Sequence, residues 1–228
     1  YLRTVLDRCV GQTYQQSYEI LIGDSSPHDK IQEMVESYKS PKIRYLRYPP
    51  ETLLTPKLND LVRQGSGEWM LVLCDDDLIE TDYLEHMSEL IEQFPEATLF
   101  RCRFKLIDQE GNLLRLDQNC QSFMRPAQFL QHVFLKEKHF FKMNVSGVIF
   151  SRPLFLKLGG FLELPVPWHT ERIAWTTLAA QSGCAFEERA LCSVRLHAGS
   201  ITSSFNPDLA SSLESDFMSK KAFESVLN

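Results

Sequence analysis

Trp69-Met70-Leu71-Val72-Leu73-Cys74-Asp75-Asp76-Asp77 is a run of six apolar residues followed at once by three acids. Bounded on its amino side by Gly67-Glu68, a run of that length reads as a fully buried strand, and the carboxyl end of such a strand is where an open α/β sheet collects its ligands. Three adjacent like charges repel one another. They persist at low cost only with a cation or hydrogen-bond donors among them, so the stretch points to a divalent metal holding a phosphorylated substrate.

Upstream, Leu2, Val5, Leu6, Cys9 and Val10 recur at helical spacing, Tyr18 to Gly23 reads as a short strand, and Asp24-Ser25-Ser26-Pro27 closes it. Ile31, Met34, Val35 and Tyr38 line a second helix. Lys42 to Arg47 gives another strand, and Pro56 to Gln64 a helix ending near Gly65 and Gly67. Downstream, Thr81 precedes a helix with Leu84, Met87, Ile91 and Phe94 on its buried face, stopped by Pro95. This alternation predicts an α/β fold with a mainly parallel central sheet and helices on both faces.

The second half is less regular. Thr98 to Asp108 alternates as a strand, Glu110-Gly111-Asn112 turns it, Pro126 to Lys136 looks helical and Val145 to Phe150 is a further strand. A short helix from Arg152 ends at Gly159-Gly160, a proline-rich loop through Trp168 leads into a helix from Thr170 to Gly183, and Leu191 to His197 is the last strand. Residues 1–205 are expected to form one domain, with a regular half over 1–95 and a less regular half over 96–205; 206–228 is a helical extension. A doubly wound nucleotide-binding sheet opens with a strand before its first helix, whereas this sequence begins inside that helix; either the usual first strand is truncated from it or the fold is completed in another way.

At 228 residues, 43% hydrophobic and with a net charge of -6, the chain has enough apolar content for a sizeable core. The negative balance, with no basic run interleaved with aromatics, argues against nucleic acid as a partner. Cys9, Cys74, Cys102, Cys120, Cys184 and Cys192 form no Cys-x-x-Cys pair, which suits reduced core thiols in a cytoplasmic protein. No apolar stretch of membrane-spanning length occurs.

Four blocks share one resemblance: Gln12-Thr13-Tyr14; Glu19-Ile20-Leu21-Ile22-Gly23-Asp24-Ser25-Ser26; Asn59; and Gly67-Glu68-Trp69-Met70 running into Cys74-Asp75-Asp76-Asp77. In this order and spacing they resemble the nucleotide-sugar-binding half of family 2 GT-A glycosyltransferases. Ser146 to Arg152, Leu158-Gly159-Gly160-Phe161 and Arg195 to Thr202 are similar to that family's acceptor half. The resemblance reaches about residue 205 and implies a UDP- or dTDP-sugar donor, a divalent metal (Mn²⁺ or Mg²⁺), and inverting transfer to an acceptor hydroxyl.

Residue by residue, the resemblance places Asp24 on the N3–H of uracil or thymine, Asp75 on a ribose hydroxyl and Asp76 on the metal, with Asp77 orienting them. The family's usual first acid falls on Cys74. Lys57 meets the diphosphate, Asn59 lies on the donor side, and His197, in Arg195-Leu196-His197, is a metal or diphosphate ligand. Glu171, at a helix start where the family more often has Glu-Asp, is the candidate base for the acceptor proton. Each also has a plain reading: an acidic turn, an Asp-Ser turn, a solvated lysine, a structural histidine, or an acid favoured by a helix dipole. Trp168, Phe123 and Met124 are either an apolar platform for the acceptor sugar or core packing.

The function expected is sugar transfer to a glycan or lipid-linked acceptor in polysaccharide or glycolipid synthesis, in the cytoplasm or peripherally at the inner face of the membrane. Two rivals stay open. One is a catalytically silent sugar-nucleotide-binding protein, the other a nucleotidyltransferase.

Overall fold

The strand Leu99–Ile107 (β5) decides the layering of the molecule. Its Phe100, Cys102 and Phe104 join one buried cluster, while Leu99 joins another on the opposite side, as the two-residue period of a strand requires. The computed structural model describes residues 1–135, 143–167, 169–200 and 208–227.

In chain order the strands are β1 (Ile20–Asp24), β2 (Ile43–Arg47), β3 (Trp69–Leu71), β4 (Leu78–Ile79), β5, β6 (Leu113–Leu116), β7 (Phe123–Met124), β8 (Val148–Ser151) and β9 (Cys184–Arg195). The helices are α1 (Leu2–Val10), α2 (Lys30–Ser37), α3 (Leu54–Gln64), α4 (Tyr83–Gln93), α5 (Pro126–Leu135), α6 (Arg152–Lys157), α7 (Thr170–Ser182) and α8 (Leu209–Leu227). The main sheet runs β3-β8-β5-β9-β4, with β6 on β5 and β7 on β9; β1 and β2 form a separate parallel pair. The expected α/β class is what forms. Within the main sheet β5·β9 is parallel and the other pairings are antiparallel, so the sheet is mixed.

Helices cover both faces. On one side, Phe129 and Val133 of α5, Phe155 of α6 and Trp175 and Leu178 of α7 pack on Leu99, Val148, Phe150 and Phe186. On the other, Tyr83, Met87 and Leu90 of α4 pack on Phe100, Cys102, Phe104, Ile149 and Cys192. α8 docks on the α7 side, where the Ser215 Oγ accepts from the Val166 N–H at 2.8 Å and Phe223 meets Phe134 at 5.4 Å between ring centres.

Two of the boundaries that differ from the sequence expectation bear on the site and the main sheet. The run 69–74 is ladder-paired only over Trp69–Leu71, at the sheet edge and half-buried rather than fully buried. The reason is topological: the next strand, β4, lies at the opposite edge, four interstrand steps away. Four steps are about 19 Å at roughly 4.8 Å each, and the connection 72–77 crosses the end of the sheet with a turn at Asp75-Asp76, where the Asp77 N–H donates to the Cys74 carbonyl at 3.4 Å. The last strand begins at Cys184 rather than Leu191, because the polar Glu187-Glu188-Arg189 forms a bulge between Cys102↔Glu187 and Arg103↔Ala190.

Candidate functional site

The crossing segment 72–77 carries the acids over the ends of β8 and β9, and both strands hold it. The Cys74 N–H donates to the Ser146 Oγ at 3.1 Å, just before β8. The Arg195 N–H, at the end of β9, donates to Asp77 Oδ1 at 2.9 Å. Ser146 reaches this position because Gly147 follows it at φ +80°; a Cβ there would stand 3.0 Å from Cys192 Cβ and 3.2 Å from its Sγ. The Arg195 guanidinium donates to the carbonyls of Asp76, Asp108 and Gln109 and lies 4.4 Å from the ring centre of Tyr1. Arg195 therefore fixes the backbone that presents the acids. Its only sequence signal was its place two residues before His197.

The three acids are unequal. Asp75 is exposed, Asp76 half-buried and Asp77 buried. Burial raises Asp77 to about 6, with the Asp76 charge adding to the rise and bonds from Ser146 and Arg195 opposing it. Cys74 is pushed to about 12, chiefly by burial and then by the Asp77 charge. Sγ of Cys74 and a carboxylate oxygen of each of Asp76 and Asp77 lie within 4.8 Å of one another. His197 Nε2 stands 2.8 Å from Asp76 Oδ2. That separation is a hydrogen bond within a carboxylate–imidazole pair; the neighbouring carboxylates of Asp76 and Asp77, within 4.8 Å of each other, are hard oxygen donors of the kind that suit a divalent cation.

Lys57, on α3, belongs to the same region. Its ammonium donates to the Ser25 Oγ at 2.7 Å; burial lowers its pKa, while the charges of Asp24 and Asp75 act in the opposite sense. Asp24 ends β1 and is buried, accepting from the Ser26 N–H at 2.7 Å, the Tyr45 hydroxyl at 2.6 Å and Arg47 Nη1 at 2.9 Å. Burial works to raise its pKa, but these bonds and the Arg47 charge outweigh it and hold the carboxyl below its ordinary value. Tyr45 and Arg47, at the end of β2, were not singled out in the sequence; the parallel register Ile22↔Tyr45 and Asp24↔Arg47 brings them there.

Asn59 is placed in the interior. It is 5% exposed and its amide is engaged at both ends by one residue: Nδ2 donates to the Phe161 carbonyl at 2.9 Å and Oδ1 accepts the Phe161 N–H at 2.8 Å. A Cβ on Gly160 would stand 2.7 Å from Asn59 Oδ1, and Gly160 sits at φ +79°. The side chain joins α3 to the segment after α6. Glu171 lies half-buried on the first turn of α7, a helix packed on α5, α6 and α8. Burial raises its pKa, opposed by its own N–H and by Arg172. His169, just before it, is exposed at φ +68°, and Trp168 falls outside the described residues. Phe123 and Met124 pack in the core, Phe123 stacking on Phe94 at 5.5 Å and Met124 only 8% exposed.

An α/β sheet covered on both faces, with a carboxylate-imidazole cluster across its end, is the architecture of a GT-A glycosyltransferase. Solved structures similar to it bear this out at the level of fold. TarS of S. aureus, residues 1–349, in complex with UDP-GlcNAc superposes with a TM-score of 0.71 over 100% of this chain and 68% of that one, at 15% identity. The mannosyltransferase PcManGT of Pyrobaculum calidifontis, in complex with GDP-Man and Mn²⁺, gives a TM-score of 0.59 over 85% of this chain and 52% of that one, at 16% identity. The profile of glycosyl transferase family 2 matches residues 1–154, and the chain belongs to that family. Curated relatives include an uncharacterised glycosyltransferase of Rickettsia typhi, 26% identical over 202 residues (86% of this chain, 60% of that protein). Another, from Rickettsia conorii, is 27% identical over 116 residues, which are 50% of this chain and 19% of that protein. The chain spans less than two thirds of the length of these relatives. Among the described residues no helix is long and apolar enough to cross a membrane.

Proposed function

We propose that this chain transfers a sugar, with inversion, from a nucleoside diphosphate sugar of the UDP or dTDP type to an acceptor hydroxyl on a glycan or lipid-linked chain. The observation that carries the reading is the 2.8 Å approach of His197 Nε2 to Asp76 Oδ2 beside Asp77 and Cys74. A divalent cation bound there, Mn²⁺ or Mg²⁺, supplies positive charge to a leaving diphosphate. Asp76 and His197 hold it, while the exposed Asp75 accepts from ribose hydroxyls. Lys57, already balanced against Asp24 and Asp75, offers its ammonium to the diphosphate.

Asp24 accepts the N3–H of a pyrimidine, using the acceptor capacity that Oδ1 retains beyond the Ser26 N–H. Asn59 contributes by fixing the 160–161 backbone. Glu171 takes the proton of the acceptor hydroxyl as its oxygen attacks the anomeric carbon; the bond to the diphosphate breaks and its electrons leave with the diphosphate. Residues 1–95 serve the donor and 96–205 the acceptor, in polysaccharide or glycolipid synthesis at the cytoplasmic face of a membrane.

Thermal unfolding with Mn²⁺ and UDP tests this reading. A ligand at about a hundred times its dissociation constant adds about 2.7 kcal/mol to folding stability, so Tm rises, and Asp76→Ala abolishes the rise. No shift with any nucleoside diphosphate overturns the donor assignment.

A further inference from the structure

One ligand in the cluster is of a different chemical kind. An ion site for a sugar diphosphate needs only hard oxygen donors, yet Cys74 Sγ lies within 4.8 Å of both an Asp76 and an Asp77 oxygen. The chain at Cys74 is held in place by the bond from its N–H to the Ser146 Oγ. Among the described residues this is the one cluster of three metal-ligand side chains. Cys102, Cys184 and Cys192 are buried, and none of the other five thiols takes part in it.

We propose that Cys74 is a metal ligand, so that this site takes a borderline, thiophilic divalent ion of the Zn²⁺, Co²⁺ or Cd²⁺ class through Cys74 Sγ, Asp76 and Asp77, with His197 beside Asp76. The proposal rests on the reading of 74–77 as an ion site and adds to it which ion is preferred. Metal–sulfur and metal–oxygen bonds of about 2.3 and 2.1 Å place neighbouring ligands about 3.5 Å apart in a tetrahedral site. The three ligand atoms, which lie within 4.8 Å of one another in the ion-free chain, close to that separation on binding. On binding, the Cys74 S–H bond breaks, the metal–sulfur bond forms and the proton passes to solvent; no oxidation occurs. Thiolate favours Zn²⁺ far more than Mg²⁺, because soft sulfur gains little from a small hard cation.

Zn²⁺ outcompetes Mn²⁺ at most nitrogen and oxygen sites, so affinity order alone proves nothing and a direct report of the sulfur bond is needed. The metal-free chain is titrated with Co²⁺ and followed in the near ultraviolet. The expected result is a thiolate-to-cobalt charge-transfer band, lost in Cys74→Ser and kept in Cys120→Ser. Zn²⁺ affinity falls about tenfold or more in Cys74→Ser, while Mg²⁺ affinity moves by less than about threefold. On the unaltered protein, peptide mapping after alkylation gives an independent reading: Zn²⁺ protects Cys74.

Co²⁺ binding without a charge-transfer band, a band that survives Cys74→Ser, or alkylation of Cys74 unaffected by Zn²⁺ overturns the proposal. If Mn²⁺ and UDP still stabilise a chain that shows no band, the donor reading stands and the thiolate fails alone. If the band forms and no nucleotide binds, the thiolate stands without the donor reading. Binding of neither ion nor nucleotide removes both.

Discussion

His197 Nε2 lies 2.8 Å from Asp76 Oδ2, although 121 residues separate them. β9 delivers one and the crossing segment 72–77 the other, and Arg195 ties the two by donating to the Asp76 carbonyl at 3.0 Å. The histidine also meets the Tyr1 ring, centre to centre at 5.4 Å. Replacing His197 by Ala is expected to weaken Mn²⁺ binding about 10- to 100-fold, read by calorimetric titration with UDP present. Unchanged Mn²⁺ affinity with a lowered Tm would make His197 a packing partner of Tyr1 and remove it from the ion site.

Asn59→Ala leaves the Phe161 N–H and carbonyl buried without their partners. Each unsatisfied group costs about 1–3 kcal/mol, so urea unfolding is expected to lose about 2–6 kcal/mol, with nucleotide affinity reduced only through the looser 160–161 backbone. A variant with full stability and lost UDP binding would return Asn59 to the donor side.

Asp24 has a lowered carboxyl pKa in the folded chain. Its contribution to stability is therefore fully present above the ordinary carboxylate value of about 3.9 and is lost as pH falls through the lower folded value. Asp24→Asn is expected to be less stable than the parent at pH 7, and the difference should shrink as the pH drops below that ordinary value. Parallel loss of stability in both proteins with falling pH would contradict the shift.

Glu171 is shifted the other way, upward by burial. As a base it acts when ionised, so transfer should rise with pH along a limb whose midpoint lies above the ordinary glutamate value of about 4.3. Glu171→Gln should bind UDP like the parent and lose about 10²- to 10⁴-fold in turnover, measured as UDP released from donor sugar. Equal turnover excludes Glu171 as the base.

Much of this was legible in the residues themselves, because periodicity and like-charge crowding are local. The helical spacing of Leu2, Val5, Leu6 and Cys9, the alternation of Thr98 to Asp108 and the apolar run into Asp75-Asp76-Asp77 set the α/β class and located the acids. The blocks around Asp24 and 67–77 carried the family, which the match over residues 1–154 then showed. What sequence could not give was the length of the strand at Trp69. The acids sit on a crossing, not at the end of a six-residue strand, since β3 and β4 occupy opposite edges.

Pairing across the chain was also beyond it. Nothing local says that Asn59 faces Phe161 or that Asp24 accepts from Tyr45 and Arg47. Nor does it say that Arg195 supports Asp76, or that Cys74 shares a space with two carboxylates. Sequence determines which groups are present and what local structure carries them. Which groups share a hydrogen bond or an ion depends on strand order and register, and these follow from burying both faces of one sheet, a property of the whole chain.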